Sequence, residues 1–172
     1  MLVSEVSFKN LILSYIAERK GEPKLTTKNA EKAVELFASG FNCTESVLLA
    51  LSEQFHEESP IIPRIATGFG AGIGRSGQIC GALSGSVMAI GLLKGCDNGE
   101  GEREKRNAAY ESVLQMIKAF EKEFGNSQCR ILTQFDLQTQ KGKEKYRKQE
   151  HRKNLCPKFV GWCANYVIEK YR

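Results

Sequence analysis

Along the whole chain, apolar residues recur three and four positions apart, and nowhere do they alternate long enough to make a strand. Ser7 to Lys20 carries Phe8, Leu11, Ile12, Tyr15 and Ile16 at helical spacing, and Gly21, Glu22 and Pro23 break it. Thr26 or Thr27 caps a second helix with Ala30, Ala33, Val34 and Phe37 on one face and Gly40 as its stop. Asn42 followed by Glu45 is a capping-type start for a third, running to about Phe55. Pro60 to Thr67 reads as a short helix leading into a glycine-rich loop. The most apolar run then forms a buried helix from about Gln78 to Lys94.

The second half repeats the pattern. After a loop at Gly95 to Gly101, an amphipathic helix runs from about Glu102 to Phe124, with Val113, Met116, Ile117 and Phe120 inward and Gly125 as its stop. A short helical turn covers Ser127 to Thr133. The polar stretch from about Gln138 to Lys153 is expected outside the core, and a last helix runs from Leu155 to about Tyr171 with Phe159, Trp162, Tyr166 and Val167 apolar. The expected fold is all-α: a multi-helix, bundle-like domain with a glycine-rich loop before a central buried helix. Residues 1–25 read as a helical extension and 26–172 as the main domain, and 172 residues suffice for one real core.

Charge excludes several functions. The net charge of +5 is modest, and much of it lies in KGKEKYRKQEHRK, Lys141 to Lys153. No aromatic ladder accompanies these cations, so the stretch reads as a solvated face rather than a nucleic-acid contact. No segment reaches membrane-spanning length, and the start MLVSEVSFKN does not read as a signal peptide. A cytoplasmic location is therefore expected. There, six cysteines point to metal binding or redox chemistry rather than to a permanent disulfide framework.

Four of the six cysteines fall where the sequence starts a helix. Cys43 follows the Asn42 cap, and Cys80 opens the central helix. Cys129 lies two residues after Ser127, and Cys156 lies two after Asn154 with Pro157 behind it. A helix N-terminus offers free N–H groups and partial positive charge, which favour a thiolate. One such cysteine is ordinarily a small buried hydrophobe; four at the same kind of position point to a shared site. Cys96 follows a helix C-terminus, where the dipole opposes a thiolate. Cys163 sits mid-helix beside Trp162 and reads as a packing residue, or else as a secondary thiol near Cys156.

Four convergent thiolates suit an iron–sulfur cluster, whose negative charge four helix N-termini offset. Metal-free dithiol chemistry is an alternative, since helix-end thiols are acidic. Structural zinc is less favoured, because its ligands usually come as close pairs and no C-x2-C occurs.

The stretch TGFGAGIGRSGQICGALSG, residues 67–85, holds the glycines. Gly72, Gly74 and Gly77 match G-x-G-x-x-G, with Asp97 at a suitable distance, but a dinucleotide site needs a preceding strand and Pro60, Pro63 and Arg64 oppose one. The loop reads better as backbone approaching another helix or a cofactor. Gly81 and Gly85 lie four apart and allow close packing, Gly91 and Gly95 repeat the spacing, and Gly81 is expected to clear space beside Cys80. Gly77, Gly81 and Arg75 are the candidate cofactor-binding residues, with Arg75 facing an anionic cluster, a partner or solvent. His56 and His151 are expected exposed.

CGALSG at Cys80 to Gly85 is a CGAxxG block, with one cysteine upstream at Cys43 and two downstream at Cys129 and Cys156. This order, with GFNCTESVL around Cys43 and FGNSQCRIL around Cys129, resembles the redox-active C_GCAxxG_C_C family from about Asn29 onward. The resemblance implies that Cys43, Cys80, Cys129 and Cys156 are the site cysteines. It also implies likeness to the non-haem part of split-Soret cytochromes, for which an iron–sulfur site has been suggested. There is no C-x-x-C-H for covalent haem.

The expectation is a redox protein that gathers these four cysteines around an iron–sulfur cluster and passes electrons to a protein partner. The alternatives are a metal-free dithiol protein and a non-catalytic helical domain with structural zinc. Whether it is an enzyme, and whether it is a homo-oligomer, stay open.

Overall fold

A computed structural model describes residues 28–148 and 154–172. The expected helix over Ser7 to Lys20, the boundary near residue 25 and His151 lie outside the described residues. The described residues are helical throughout: α1 (Lys28–Ser39), α2 (Cys43–Phe55), a 3₁₀ helix (Arg64–Phe69), α3 (Gly70–Ile73), α4 (Gly81–Lys94), α5 (Arg103–Phe124), α6 (Cys129–Thr133), α7 (Gln140–Lys148) and α8 (Cys156–Tyr171). Their only β pairing is one antiparallel bridge, Ile79 with Gln128. The all-α reading holds.

The core lies where α2, α4 and α8 meet, with α1 and α5 closing its sides. α2 contributes Val47, Leu48 and Leu51, α4 contributes Ala82, Leu83 and Ile90, and α8 contributes Val160, Ala164 and Val167, all buried. α2 and α4 approach closely because α4 has glycine at the crossing. A Cβ on Gly85 would stand 2.7 Å from the Thr44 carbonyl oxygen and 3.0 Å from Val47 Cβ. The Gly91/Gly95 repeat has no such role, since a Cβ on Gly91 would meet only open space.

A second packing centre joins α5 to α8. Phe120 and Phe124 on α5 meet Phe159 and Trp162 on α8 with ring centroids 4.9–5.8 Å apart, and Trp162 stacks on Tyr166 at 5.2 Å. Offset and edge-on rings at these separations add to the area term.

Helix ends follow local chemistry closely. Gly125 stops α5 at φ 82°, a left-handed position where glycine has no Cβ penalty. The central helix starts later than its apolar pattern indicates, at Gly81, because Gln78 to Cys80 are drawn into the bridge with Ser127 to Cys129. The polar stretch is not wholly outside the core either. Its α7 packs Tyr146 against the core and edge-on to Phe135, with ring centroids 5.8 Å apart.

Candidate functional site

The site is built from the N-terminus of α2 outward. Asn42 Oδ1 accepts from the N–H groups of Thr44 (2.9 Å) and Glu45 (3.1 Å), and Glu45 Oε2 accepts from the Asn42 N–H (2.8 Å). This capping box makes Cys43 the first residue of α2. The same two side chains fasten the 3₁₀ helix. Thr67 Oγ1 donates to Glu45 Oε1 at 2.6 Å, and Asn42 Nδ2 donates to the Thr67 carbonyl at 3.2 Å.

Beyond the 3₁₀ helix the chain enters a run no propensity argument would choose. Ala71, Gly72, Ile73, Gly74 and Arg75 have φ of 56°, 73°, 59°, 59° and 69°, five consecutive left-handed residues. Each non-glycine residue there costs roughly 1–2 kcal/mol, and a β-branched one such as Ile73 is the least suited. The run is held by hydrogen bonds from Gly74 N–H to the Gly68 carbonyl (2.9 Å) and from Gln78 N–H to the Gly72 carbonyl (3.0 Å). Its effect is local and chemical. It turns the Ala71 N–H toward the Cys43 sulfur and lays Gly72 on Cys129, so closely that a Cβ on Gly72 would lie 2.7 Å from Cys129 Cβ.

The bridge then sets Cys80 against Cys129. The Cys80 N–H donates to the Ser127 carbonyl (2.7 Å) and the Cys129 N–H to the Gln78 carbonyl (2.6 Å). Side chains alternate faces across such a pair, so Cys80 and Cys129 share one face, opposite Ile79 and Gln128. Cys80 is the cap residue of α4 and Cys129 the first residue of α6, whose cap is Gln128 rather than Ser127. Cys156 opens α8 with Pro157 behind it, and its Sγ lies 3.7 Å from the Tyr146 hydroxyl.

Electrostatics identify Cys80 as the hub. Burial pushes its thiol well above the ordinary range, and negative charge on Cys43, Cys163, Cys129 or Cys156 would push it further. Burial also raises Cys129 to about 11, with Cys43 adding to the rise and the Thr133 hydroxyl opposing it. Cys43 is raised by burial too, but the N–H groups of Ala71, Cys43 and Thr44 pull it back. The expectation that helix N-termini favour thiolates is therefore corrected for Cys43, Cys80 and Cys129. A helix terminus contributes at most about 2 kcal/mol, whereas full burial shifts a pKa by up to about 3–5 units.

Cys163 is the residue the sequence reading undervalued. It is fully buried in α8, where it packs in the core; its charge would be felt at Cys80, and it would feel charge on Cys43, so it also lies near the site. Its signal was in the sequence: Cys156 and Cys163 are seven apart, hence on one helix face. Cys96 is set apart. It lies beyond the far end of the 14-residue α4 from Cys80, its Sγ 3.5 Å from the Glu102 carbonyl.

Of the candidate cofactor residues, Gly81 has the clearest part. A Cβ there would collide with Cys43 Sγ and stand 2.7 Å from Thr44 Oγ1, so Gly81 clears space beside Cys43 rather than Cys80. Gly77, at φ 79°, makes room for Arg130, whose Cβ would lie 2.8 Å from one on Gly77. Arg75 is exposed. No strand precedes Gly72, Gly74 and Gly77, which removes the context a dinucleotide fingerprint needs.

Two further features bear on a bound group. Thr44 Oγ1 and Ser86 Oγ are buried, and each faces a thiol whose ionised form it favours, Thr44 at Cys43 and Ser86 at Cys163. Buried hydroxyls facing thiols and a glycine clearing beside Cys43 fit a sulfur-rich anionic group. Among the described residues, however, no set of three or more cysteine, histidine or acidic side chains is arranged to hold a single metal ion. All six cysteines are free thiols.

The comparisons place the chain in a family. Residues 41–170 match the family described as "Putative redox-active protein (C_GCAxxG_C_C)", and the chain belongs to that family. It is also similar to an uncharacterised protein of Archaeoglobus fulgidus, 38% identical over 66 residues, which are 38% of this chain and 44% of that protein. The match thus spans less than half the length of that relative. No solved structure matches the chain. No helix among the described residues is long and apolar enough to cross a membrane.

Proposed function

We propose that this protein binds an iron–sulfur cluster through Cys43, Cys80, Cys129 and Cys156 and passes electrons to a protein partner. The observation that carries the reading is the position of Cys80, buried, on one face of the bridge with Cys129, and followed by the Gly81 that lies against Cys43 Sγ. Thiols so placed cannot ionise together without a cation among them, and an iron centre is a cation that relieves both the burial and the mutual repulsion. When bound, the cluster supplies one-electron chemistry. The chain's own part is to exclude water, to direct the Ala71 and Thr44 N–H groups at Cys43, and to keep Gly81 clear beside it. The Thr44 and Ser86 hydroxyls face Cys43 and Cys163 and supply donors to sulfur there.

The test is anaerobic reconstitution with iron and sulfide, followed by iron and acid-labile sulfide analysis and absorption spectroscopy. Brown protein with charge-transfer bands, lost on Cys80→Ser, is expected. Colourless, iron-free protein overturns the reading. A second reading, a metal-free dithiol protein, draws support from the lack of a three-ligand metal group among the described residues. Thiol titration distinguishes it, by one readily formed disulfide within Cys43, Cys80, Cys129, Cys156 and Cys163 and a matched loss of activity toward a disulfide substrate.

A further inference from the structure

The segment that closes over Cys43 and Cys129 is unusual on its outer side as well. Large apolar side chains are exposed at Ile61 (46%), Ile65 (49%), Phe69 (40%) and Ile73 (44%), in one run of the chain. α6, which packs on α3 and starts at Cys129, adds Ile131 at 52%. The run also has a charge sign. Residues 61–77 contain Arg64 and Arg75, both exposed, and no acidic residue. The inner side of this segment touches the thiols: the Phe69 carbonyl borders the Gly81 clearing, the Ala71 N–H faces Cys43 sulfur, and Gly72 lies on Cys129. One thin layer of backbone therefore separates an exposed, apolar, arginine-bearing face from the site.

We infer that this face, Ile61 to Ile73 with Arg64 and Arg75, is the docking surface for an acidic electron-carrier protein. The inference rests on the proposed redox function and names the partner's class. Charge decides among occupants. A second copy of this chain would bring arginine against arginine, and the chain carries +5 overall, so self-association through this face is opposed. An acidic partner with an apolar centre complements both features. Transient redox complexes bury little area and rely on such steering, and an apolar centre with a charged rim is the ordinary layout of an interface. The face also lies where a carrier needs to be, with no intervening helix between it and Cys43.

The experiment measures binding of two acidic probes, a plant-type [2Fe–2S] ferredoxin and a flavodoxin, to anaerobically prepared protein by titration calorimetry at low and high salt. Wild type, Arg64→Glu with Arg75→Glu, and Ile65→Ser with Phe69→Ser are compared. Binding of at least one probe that weakens with salt is expected, with each double variant about tenfold weaker or worse, as for rim charges and central anchors in other complexes. Equal binding by wild type and both variants, or no binding of either probe, overturns the inference, as does a wild-type dimer that Ile65→Ser with Phe69→Ser dissolves. Reduction of the same samples by dithionite and thermal melts are run alongside. A variant that melts and is reduced like wild type but does not bind has lost docking alone. Wild type that binds yet shows no reducible centre counts against the redox reading and leaves the docking face standing.

Discussion

The aromatic and the sulfur regions that share α8 are built on opposite terms. Toward Trp162 and Tyr166, aromatic rings from α5 and α8 interlock, with Phe120 fully buried, and every contact there favours the folded chain. Cys156 and Cys163 instead belong with the buried thiols, and beside Cys43 and Cys129 runs a stretch of left-handed backbone. The left-handed run costs free energy, and the buried thiols do so once ionised. The comparison teaches where stability is made and where it is spent. The aromatic and aliphatic core holds the helices in place, and the sulfur region is held by that core in a state it would not choose alone.

The largest effect is expected in the stabilising region. Phe120→Ala empties a fully buried ring site between Phe124, Phe159 and Trp162 and should cost about 3–5 kcal/mol in urea unfolding. The remaining folded protein should keep its order of thiol reactivity. If thiol accessibility changes first and stability hardly at all, the division between the two regions is wrong.

Next comes pH, read on reduced, metal-free protein. Cys129 is raised to about 11 from 9.0 by burial. Between those values the unfolded chain ionises and the folded chain does not, so the stability from the neutral buried thiol is complete below pH 9 and is lost as pH rises toward 11. At 1.36 kcal/mol per unit the loss for Cys129 alone is on the order of 2–3 kcal/mol. Cys129→Ala should make that part of the stability profile shallower by one thiol's share, the rest coming from Cys43, Cys80 and Cys163, which burial also raises. A bound iron–sulfur group should abolish the share of its ligand sulfurs, since those are then already deprotonated.

Gly81→Ala sharpens the comparison at its boundary. The new Cβ collides with Cys43 Sγ and Thr44 Oγ1, the ends of two short side chains, and overpacking of this kind costs about 1–3 kcal/mol. Loss of cluster uptake should exceed what that destabilisation explains. Gly91→Ala, with open space at its Cβ, is the control expected to do neither. The smallest change has the opposite sign. Ile73 is 44% exposed and sits at φ 59°, so Ile73→Gly should stabilise the fold by about 1 kcal/mol, measured by thermal or urea unfolding. Destabilisation would mean that the side chain is packed more firmly than its exposure indicates.

What was legible in the sequence follows the same division. The Asn42–Glu45 capping box, the Gly40 and Gly125 stops and the inward faces of α1, α5 and α8 are local signals that the structure follows. The start of the central helix was misread by about three residues, because a pairing with Ser127 to Cys129 claims Gln78 to Cys80, and no local pattern announces a partner fifty residues away. The left-handed run was invisible for a related reason. Alanine, isoleucine and arginine all disfavour that region, so only tertiary contacts explain Ala71, Ile73 and Arg75 there. Cys163 was set aside because a mid-helix cysteine is usually packing, and only the approach of α4 to α8 brings it near the site. Tyr146 was hidden by the cations around it.

The central claim is that Cys43, Cys80, Cys129 and Cys156 form one iron-binding site. The most direct measurement is iron K-edge X-ray absorption on anaerobically reconstituted protein, with each of the four changed singly to serine and Cys96→Ser as the control. The account predicts a wild-type first shell of sulfur with an iron–iron contribution, altered or lost in each of the four variants and intact in Cys96→Ser. A first shell of oxygen and nitrogen, or a sulfur shell indifferent to Cys80→Ser, would contradict it.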